Sequence, residues 1–373
     1  MSKLPMLIDI LACPECRRGL RNGKQDGGYI LKCEDCGREY PFVKAIYITD
    51  KCRTNKCKKE CLSVCKSGKM EYFPWTKTSK RIRIHACDGS GECVNVCPHG
   101  AIVTCNTPSF LDVSGFDIKP KNCVAGQLEV VPEMLRKPEN MFMCGHVAAT
   151  YDYVSLKIEE INPDFVVDNG CGHNLFAAKY GMGRAFYTLD GNIDHHAYRK
   201  VDLLANGERL PLADDSVPMV ISNFVLEHVK NPSIYLNEIK RVLKRDGILI
   251  ISVPTSYWHL GNTMSIYYNF QYLLKIVSKP SYFLKNPVKH FLVERSHAKE
   301  HMIDSEVPCV TLLDEIRLWK MEKWEATYRS SGFSILERCL AGHLMSTHHL
   351  SILRKLPKPS RFGVHCTHVL RKA

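Results

Sequence analysis

Twelve of the chain's eighteen cysteines fall before residue 106, and their spacing restricts what the first hundred residues can become. Cys13-Pro14-Glu15-Cys16 and Cys33-Glu34-Asp35-Cys36 are two C-x2-C pairs, and the stretch between them, with Gly27, Gly28 and the alternating Tyr29-Ile30-Leu31, reads as a hairpin. Two such pairs bring four thiolates to the corners of a tetrahedron, the closed geometry that structural Zn²⁺ prefers. About fifty residues without a metal would struggle to bury a core, which weighs against four unligated thiols. A disulfide framework belongs to small secreted chains, so metal binding in a reducing compartment is the better account here. The 45% hydrophobic and 24% charged content is that of a folded protein. No apolar run is long enough to span a bilayer, and Met1 to Leu11 lacks the pattern of a signal peptide, so a cytoplasmic location is expected.

The segments Leu7-Ile8-Asp9-Ile10-Leu11-Ala12-Cys13-Pro14 and Cys36-Gly37-Arg38-Glu39-Tyr40-Pro41 resemble the zinc-ribbon protein that activates several tRNA, rRNA and protein methyltransferases as a partner subunit. The resemblance covers about residues 5 to 49. It implies a stabilising or substrate-orienting role, and four cysteine ligands leave no open position for a catalytic water.

From Cys52 the spacing changes to Cys52, Cys57, Cys61 and Cys65, followed by Cys87-Asp88-Gly89-Ser90-Gly91-Glu92-Cys93 and Cys97-Pro98. The second block resembles the bacterial ferredoxin run C-x2-C-x2-C-x3-C-P, with Ser90 in place of the second cysteine. In that fold the last cysteine of each run ligates the other cluster. The resemblance therefore implies one [4Fe-4S] cluster on Cys52, Cys57, Cys61 and Cys97 and a second on Cys65, Cys87 and Cys93. Ser90 leaves the second site open between a four-iron cluster with a serine or water ligand, a [3Fe-4S] cluster and none. Zinc is the alternative metal for such cysteine sets. The first block, with its many lysines, is more similar to the iron–sulfur domain of the ribosome-recycling ATPase, but no Walker A motif follows. Between Lys51 and Cys105, 11 Lys/Arg face 4 Asp/Glu, a surplus that leaves room for an anionic partner.

Residues 107–149 carry Pro108, Pro120, Pro132 and Pro138 and read as a connecting segment with little helix, in which Cys123, Cys144 and His146 are candidate extra metal ligands whose plainer role, without any paired spacing, is that of linker or core residues. A helix is expected over Tyr153 to Ile161. Asp164-Phe165-Val166-Val167-Asp168-Asn169-Gly170-Cys171-Gly172 then reads as a buried parallel strand running into a glycine turn and a helix from about Leu175. Such a turn lets a nucleotide-like ligand approach the backbone, although one glycine turn is a weak signal.

The order of the next segments resembles class I SAM-dependent methyltransferases (SAM is S-adenosylmethionine), of the methyltransferase type 11 kind, over residues 150 to 345. Ala185 to Leu189 ends in Asp190, Leu210-Pro211-Leu212 precedes Asp215-Ser216, and Val225-Leu226-Glu227-His228-Val229 follows a strand ending at Asn223. A helix, a turn at Asp246-Gly247 and a fifth strand to Pro254 come next. A late helix around Trp319 to Ser331, a sixth strand from Phe333 and a last antiparallel strand over Val364 to Leu370 complete the pattern. The resemblance implies an α/β Rossmann-like domain with a mostly parallel seven-stranded sheet over residues 150–373, preceded by a zinc ribbon (1–50) and a ferredoxin-like α+β module (51–106). It also implies a SAM site built by Asp168 near the amino group, Gly170 and Gly172 by backbone approach, Asp190 on the ribose, Asp202 or Asn206 near adenine, and Phe224 as a wall. His228, Tyr257 and His259 are the weak catalytic candidates, with helix packing the plainer role for His228. Residues 257 to 306 form an insertion of the kind that covers substrates.

The expected activity is methyl transfer from SAM to an acceptor that spacing does not name: small molecule, RNA or protein. Two other classes stay open. One is an electron-transfer or redox-sensing protein, with an electron-transfer partner, whose Rossmann-like half only binds a ligand. The other is an RNA- or ribosome-associated binding protein, for which no RNA-binding motif speaks.

Overall fold

The computed structural model describes residues 7–25, 28–48, 52, 56–65, 70–72, 82–84, 92–111, 145–172, 175–180, 185–191, 201–229, 231–259, 277, 311–341 and 363–373. Cys87, Ser90, Cys123, Cys144 and most of the insertion expected at 257 to 306 lie outside these residues. The chain divides into two compact units. One comprises Met1–Met141, Pro163–Ile221 and Glu238–Gly247, and the other Phe142–Asn162, Ser222–Asn237 and Ile248–Ala373.

The first unit begins with a four-stranded antiparallel sheet in the order β1 (Leu20–Gln25), β2 (Gly28–Cys33), β3 (Glu39–Ile48) and β6 (Ile102–Pro108). Strand β3 serves two partners. Its first residues pair with β2, Glu39 opposite Lys32 and Pro41 opposite Ile30. The rest pairs with β6, from Phe42 opposite Pro108 to Ile48 opposite Ile102. Between β3 and β6 lie two short helices, α1 (Glu60–Ser63) and α2 (Glu92–Val96), and a small hairpin of β4 (Met70–Tyr72) and β5 (Ile82–Ile84). Strand β6 extends to Pro108, so residues 107 and 108 belong to the sheet rather than to a connecting segment. Proline is tolerated there because it is the strand's last residue, where a missing N–H removes little of the ladder.

The larger sheet has seven strands in the order β12-β13-β11-β10-β7-β8-β9. Its strands are β7 (Phe165–Asn169), β8 (Ala185–Asp190), β9 (Leu203–Leu204), β10 (Val217–Asn223), β11 (Leu243–Pro254), β12 (Phe333–Ala341) and β13 (His365–Lys372). Strands β7, β8, β9 and β10 pair in parallel, whereas β13 runs antiparallel to both β11 and β12, so the sheet is mixed. Every residue of β7 is buried, which is why Phe-Val-Val lacks the alternation of a one-faced strand. The helices are α3 (Gly145–Ile161), α4 (Leu175–Tyr180), α5 (Pro232–Val242), α6 (Leu312–Leu318) and α7 (Met321–Ser330). Among the described residues, no helix is long and apolar enough to cross a membrane.

Three boundaries differ from the sequence expectation. Helix α3 starts at Gly145 rather than Tyr153, since Val147, Ala148 and Ala149 offer nothing to interrupt it. It ends at Ile161, where the left-handed φ of 52° at Asn162 and the following Pro163 stop the helix. The late helix is two: Thr311 and Asp314 start α6 with a reciprocal capping box, and extended Lys320 separates it from α7. Strand β11 begins at Leu243, so Asp246-Gly247 lies within the strand rather than in a turn before it.

Candidate functional site

Strand β7 hands the chain to Gly170 at φ 80° and then to Gly172 at φ 53°, both in the region that L-residues avoid. The N–H groups of Gly170 and Cys171 both donate to the Leu189 carbonyl at 2.9 Å, fastening the turn to β8. The Gly172 N–H donates to Asp190 Oδ2 at 2.7 Å. The carboxyl end of β7 is thereby locked to that of β8, and among the described residues a Cβ placed on Gly172 would meet nothing within 4 Å. Open space in front of a glycine turn, with a carboxylate held beside it, suits a nucleoside-like ligand. The order of strands reverses between β7 and β10, and ligands of open α/β sheets bind at such a switch point.

Asp168, next to last in β7, is buried, and burial together with the charge of Asp190 pushes its carboxyl up to about 8. Asp202 is held by Thr188. Its Oδ2 accepts from the Thr188 N–H at 3.0 Å and from the Thr188 hydroxyl at 2.9 Å, and its own N–H donates to the Thr188 carbonyl at 3.0 Å. Asp202 therefore ties the start of β9 to β8. Asn206 is exposed, and its Oδ1 accepts from the Glu208 N–H at 2.9 Å in a side-chain turn. Asp168, Gly170, Gly172 and Asp190 thus sit on adjoining strand ends, while Asp202 and Asn206 shape the loop that follows β9.

The remaining candidates lie in the second unit. Phe224 holds a left-handed φ of 59°, uncommon for a bulky residue, while its N–H donates to the Ser252 carbonyl at 2.9 Å. Its ring lies 4.4 Å from His365, whose Nδ1 is 3.5 Å from the Thr150 hydroxyl. His365 and Thr150 are buried polar residues that no motif announced. His228 closes a single 3-10 turn, Leu226–His228, with Nε2 4.0 Å from Glu227 Oε1. Burial pushes the Glu227 carboxyl up to about 8. His259 is 1% exposed, stacked on Trp319 at 4.4 Å and 3.2 Å from Glu315, and burial holds its imidazole down at about 4. A neutral ring in that setting packs the second unit. Tyr257 is half-buried beside it in sequence.

The four ribbon cysteines come together. Cys16 and Cys33 sulfurs are 3.3 Å apart, Cys13 and Cys36 3.6 Å, and all four Sγ atoms lie within 4.8 Å of one another. The edge of a tetrahedron with Zn–S bonds near 2.3 Å is about 3.8 Å, so the set fits. Both knuckles repeat one geometry: Cys13 and Cys33 N–H groups donate at 2.8 Å to Arg18 and Arg38 carbonyls, and the preceding residues, Arg17 and Gly37, turn left-handed. Glycine adopts that turn freely; Arg17 gives up roughly 1 kcal/mol for it.

In the second cysteine group, Cys52, Cys61 and Cys93 are buried in one cluster with Ala101 and Ile102, and Cys65 and Cys97 pack against it. Burial, then the charges of Cys97, Cys52, Cys57 and Cys93, pushes the Cys61 thiol up to about 12. Crowded thiols that resist ionisation by themselves are what a bound cation or cluster would relieve. The Ala101 N–H already donates to Cys97 Sγ at 3.3 Å, and His99 Nε2 and Glu60 Oε2 are buried without a hydrogen-bond partner.

A mixed seven-stranded sheet of this order, with a glycine turn joined to an acidic strand end, is the Rossmann-like methyltransferase architecture. Residues 167–251 match the family described as a methyltransferase domain. Among curated proteins, the chain is 38% identical over 104 residues to the uncharacterised protein MJ0638 of Methanocaldococcus jannaschii, an overlap of 26% of this chain and 44% of that one. It is 26% identical over 175 residues to MJ1252 of the same organism, covering 46% and 62%. The chain therefore spans less than two thirds of the length of these relatives. Similar solved structures include a SAM-dependent methyltransferase of Thermotoga maritima described as a possible histamine N-methyltransferase, with 17% identity, TM-score 0.38 and coverage of 63% of this chain and 95% of that one. A SAM-dependent methyltransferase of Aquifex aeolicus has 12% identity and TM-score 0.35, with coverage of 64% and 94%.

Proposed function

We propose that the chain transfers a methyl group from S-adenosylmethionine, with the donor held at the carboxyl ends of β7 and β8. The observation that carries this reading is the Gly172 N–H bonded to the Asp190 carboxylate at 2.7 Å, which fixes an acidic group beside an open glycine turn. In this reading Asp190 is the acidic group that accepts from the ribose hydroxyls, and Asp168 is the carboxyl whose proton a donor amino group would replace. Gly170 and Gly172 allow close backbone approach, and the loop through Asp202 and Asn206 borders the adenine side. When bound, the donor's sulfonium supplies a methyl already activated for in-line displacement, so the protein's task is chiefly orientation. The acceptor's class, whether small molecule, RNA or protein, is what labelling of fractionated lysate would identify.

The same reading gives the N-terminal modules their metals: Zn²⁺ on Cys13, Cys16, Cys33 and Cys36, and an iron–sulfur cluster on Cys52, Cys57, Cys61 and Cys97. Isothermal titration with SAM tests the donor site. Wild type should bind, and Asp190→Ala should bind roughly 10- to 100-fold more weakly, as expected for loss of a charge-assisted hydrogen bond worth about 1.5–3 kcal/mol. Absence of binding by the metal-loaded wild type would sink the reading.

A further inference from the structure

The cysteine-rich module lies between the two strands of a long hairpin. Strand β3 ends at Ile48, four residues before Cys52, and β6 begins at Ile102, five residues after Cys97. The two strands zip together over seven residue pairs whose last, Ile48 opposite Ile102, lies at the cysteine end. Ala101 and Ile102 are buried in the same cluster as Cys52, Cys61 and Cys93. The far end of β6 meets the donor domain. The Thr107 hydroxyl donates to the Val201 carbonyl at 3.2 Å, Ser109 bridges Leu204 in parallel, and the Phe110 N–H donates to the Leu204 carbonyl at 2.8 Å. Val201 and Leu204 bracket Asp202, and the Ala205 N–H donates to the Asp190 carbonyl at 3.1 Å. A single strand therefore joins the cysteine cluster to the backbone of the proposed ribose and adenine side.

We infer that iron loading of the cysteine-rich module controls the affinity of the donor site, through β6 and its bonds to Val201 and Leu204. The inference rests on the cluster and donor assignments proposed above. A bound cluster ties Cys52 to Cys97 and so closes the open end of the β3/β6 ladder. Without it, that end carries a long loop whose ordering the paired strands must sustain, and the ladder frays toward Thr107. Donor binding requires β9 in register, so the two events share free energy, and the coupling works in both directions.

The test compares the full chain, purified without oxygen, with Cys61→Ala and Cys97→Ala variants shown by metal analysis to lose iron and keep zinc. Hydrogen exchange should quicken at Phe110 and across residues 201–206 in the iron-free variants with no donor present. The Kd for SAM should rise roughly 5- to 100-fold, the span typical of coupled sites. The reciprocal effect is retention of more iron against a chelator when SAM is saturating. Thr107→Val, which keeps the side chain's shape and leaves the cluster's absorbance in place, should narrow the gap between iron-loaded and iron-free protein. Unchanged exchange at 201–206 on iron loss overturns the inference whether or not SAM binds. Equal Kd values with and without iron overturn it while leaving the donor reading intact, and an iron-loaded protein that ignores SAM removes the donor reading first.

Discussion

Asp168 offers a quantitative handle on the donor site. Burial, reinforced by Asp190, pushes its carboxyl up to about 8, so at pH 7 roughly nine in ten donor-free molecules carry it protonated. A cationic amino group within about 4–6 Å lowers a carboxyl by about 1–3 units, and a two-unit drop would leave about one in ten protonated. Binding of SAM at pH 7 should then release about 0.8 proton, the difference between those two fractions. Titrations in phosphate and in Tris, whose ionisation enthalpies differ, read that number directly. Affinity should improve as pH rises from about 6 to about 8 by about 25-fold, out of the roughly 100-fold that a two-unit shift gives over the whole range. Asp168→Asn should bind more weakly, release no proton and show no such dependence. For the donor-free protein the sign is opposite. A folded value above the unfolded one stabilises fully below about pH 4 and is lost as pH rises to about 8, at about 1.36 kcal/mol per unit. Asp168→Asn should therefore melt higher than wild type at pH 8 while binding donor less well. Wild type that binds SAM without proton release at pH 7 would refute the placement of the amino group at Asp168.

Arg241 is a second lever. Its guanidinium donates to the Leu212 and Leu210 carbonyls at 2.8 and 3.0 Å and to Glu238 at 2.9 Å, and Glu238 is 6% exposed. Arg241→Met should destabilise the first unit by about 3–5 kcal/mol, the cost of removing one partner of a buried pair, and should speed amide exchange at Ala12, which donates to Pro211. A loss under about 1 kcal/mol would show that Arg17, 2.8 Å from Glu238, satisfies that carboxylate unaided. His259 and His368 are both held down at about 4 by burial. Their contribution is fully present above about pH 6.5 and is lost as pH falls toward 4, so His368→Gln should flatten the acid side of the stability curve measured by urea unfolding. Cys36→Ala should lower zinc content by one ion per chain and release the Cys13 and Cys33 amides to exchange.

What could be read from the sequence was local. The C-x2-C pairs lie on knuckles whose geometry is complete within six residues, and the glycine turn at Gly170 follows from one strand and one conformational need. The position of Asp190 at the end of β8 was legible because the apolar run of that strand stops there. Phe224, by contrast, has an ordinary sequence context and an uncommon backbone, fixed by a bond to Ser252 from another strand. The motif around Asp202 says nothing of what holds its carboxylate, which is Thr188, a partner fourteen residues away that only strand pairing supplies.

The pairing of β3 with β6 was the least legible feature, for a physical reason. Antiparallel neighbours are announced by the turn that joins them, and here the turn is replaced by a whole cysteine module. Closing so long a loop costs only slowly more entropy with length, so an insertion is tolerated provided something holds its ends together. Among the described residues the fully buried apolar ones there are Ala101 and Ile102, with Leu62, Val64, Val94 and Val96 half-buried around them, and buried cysteines make up the rest of the cluster. Ligation is then the natural clasp for that end of the ladder. Replacing Ala101, which is fully buried beside Cys97, by Asp should therefore cost both iron and strand register. Amide exchange along residues 42–48 would show it, and an Ala101→Asp protein that keeps β3/β6 protection after iron loss would mean that the ladder needs no clasp.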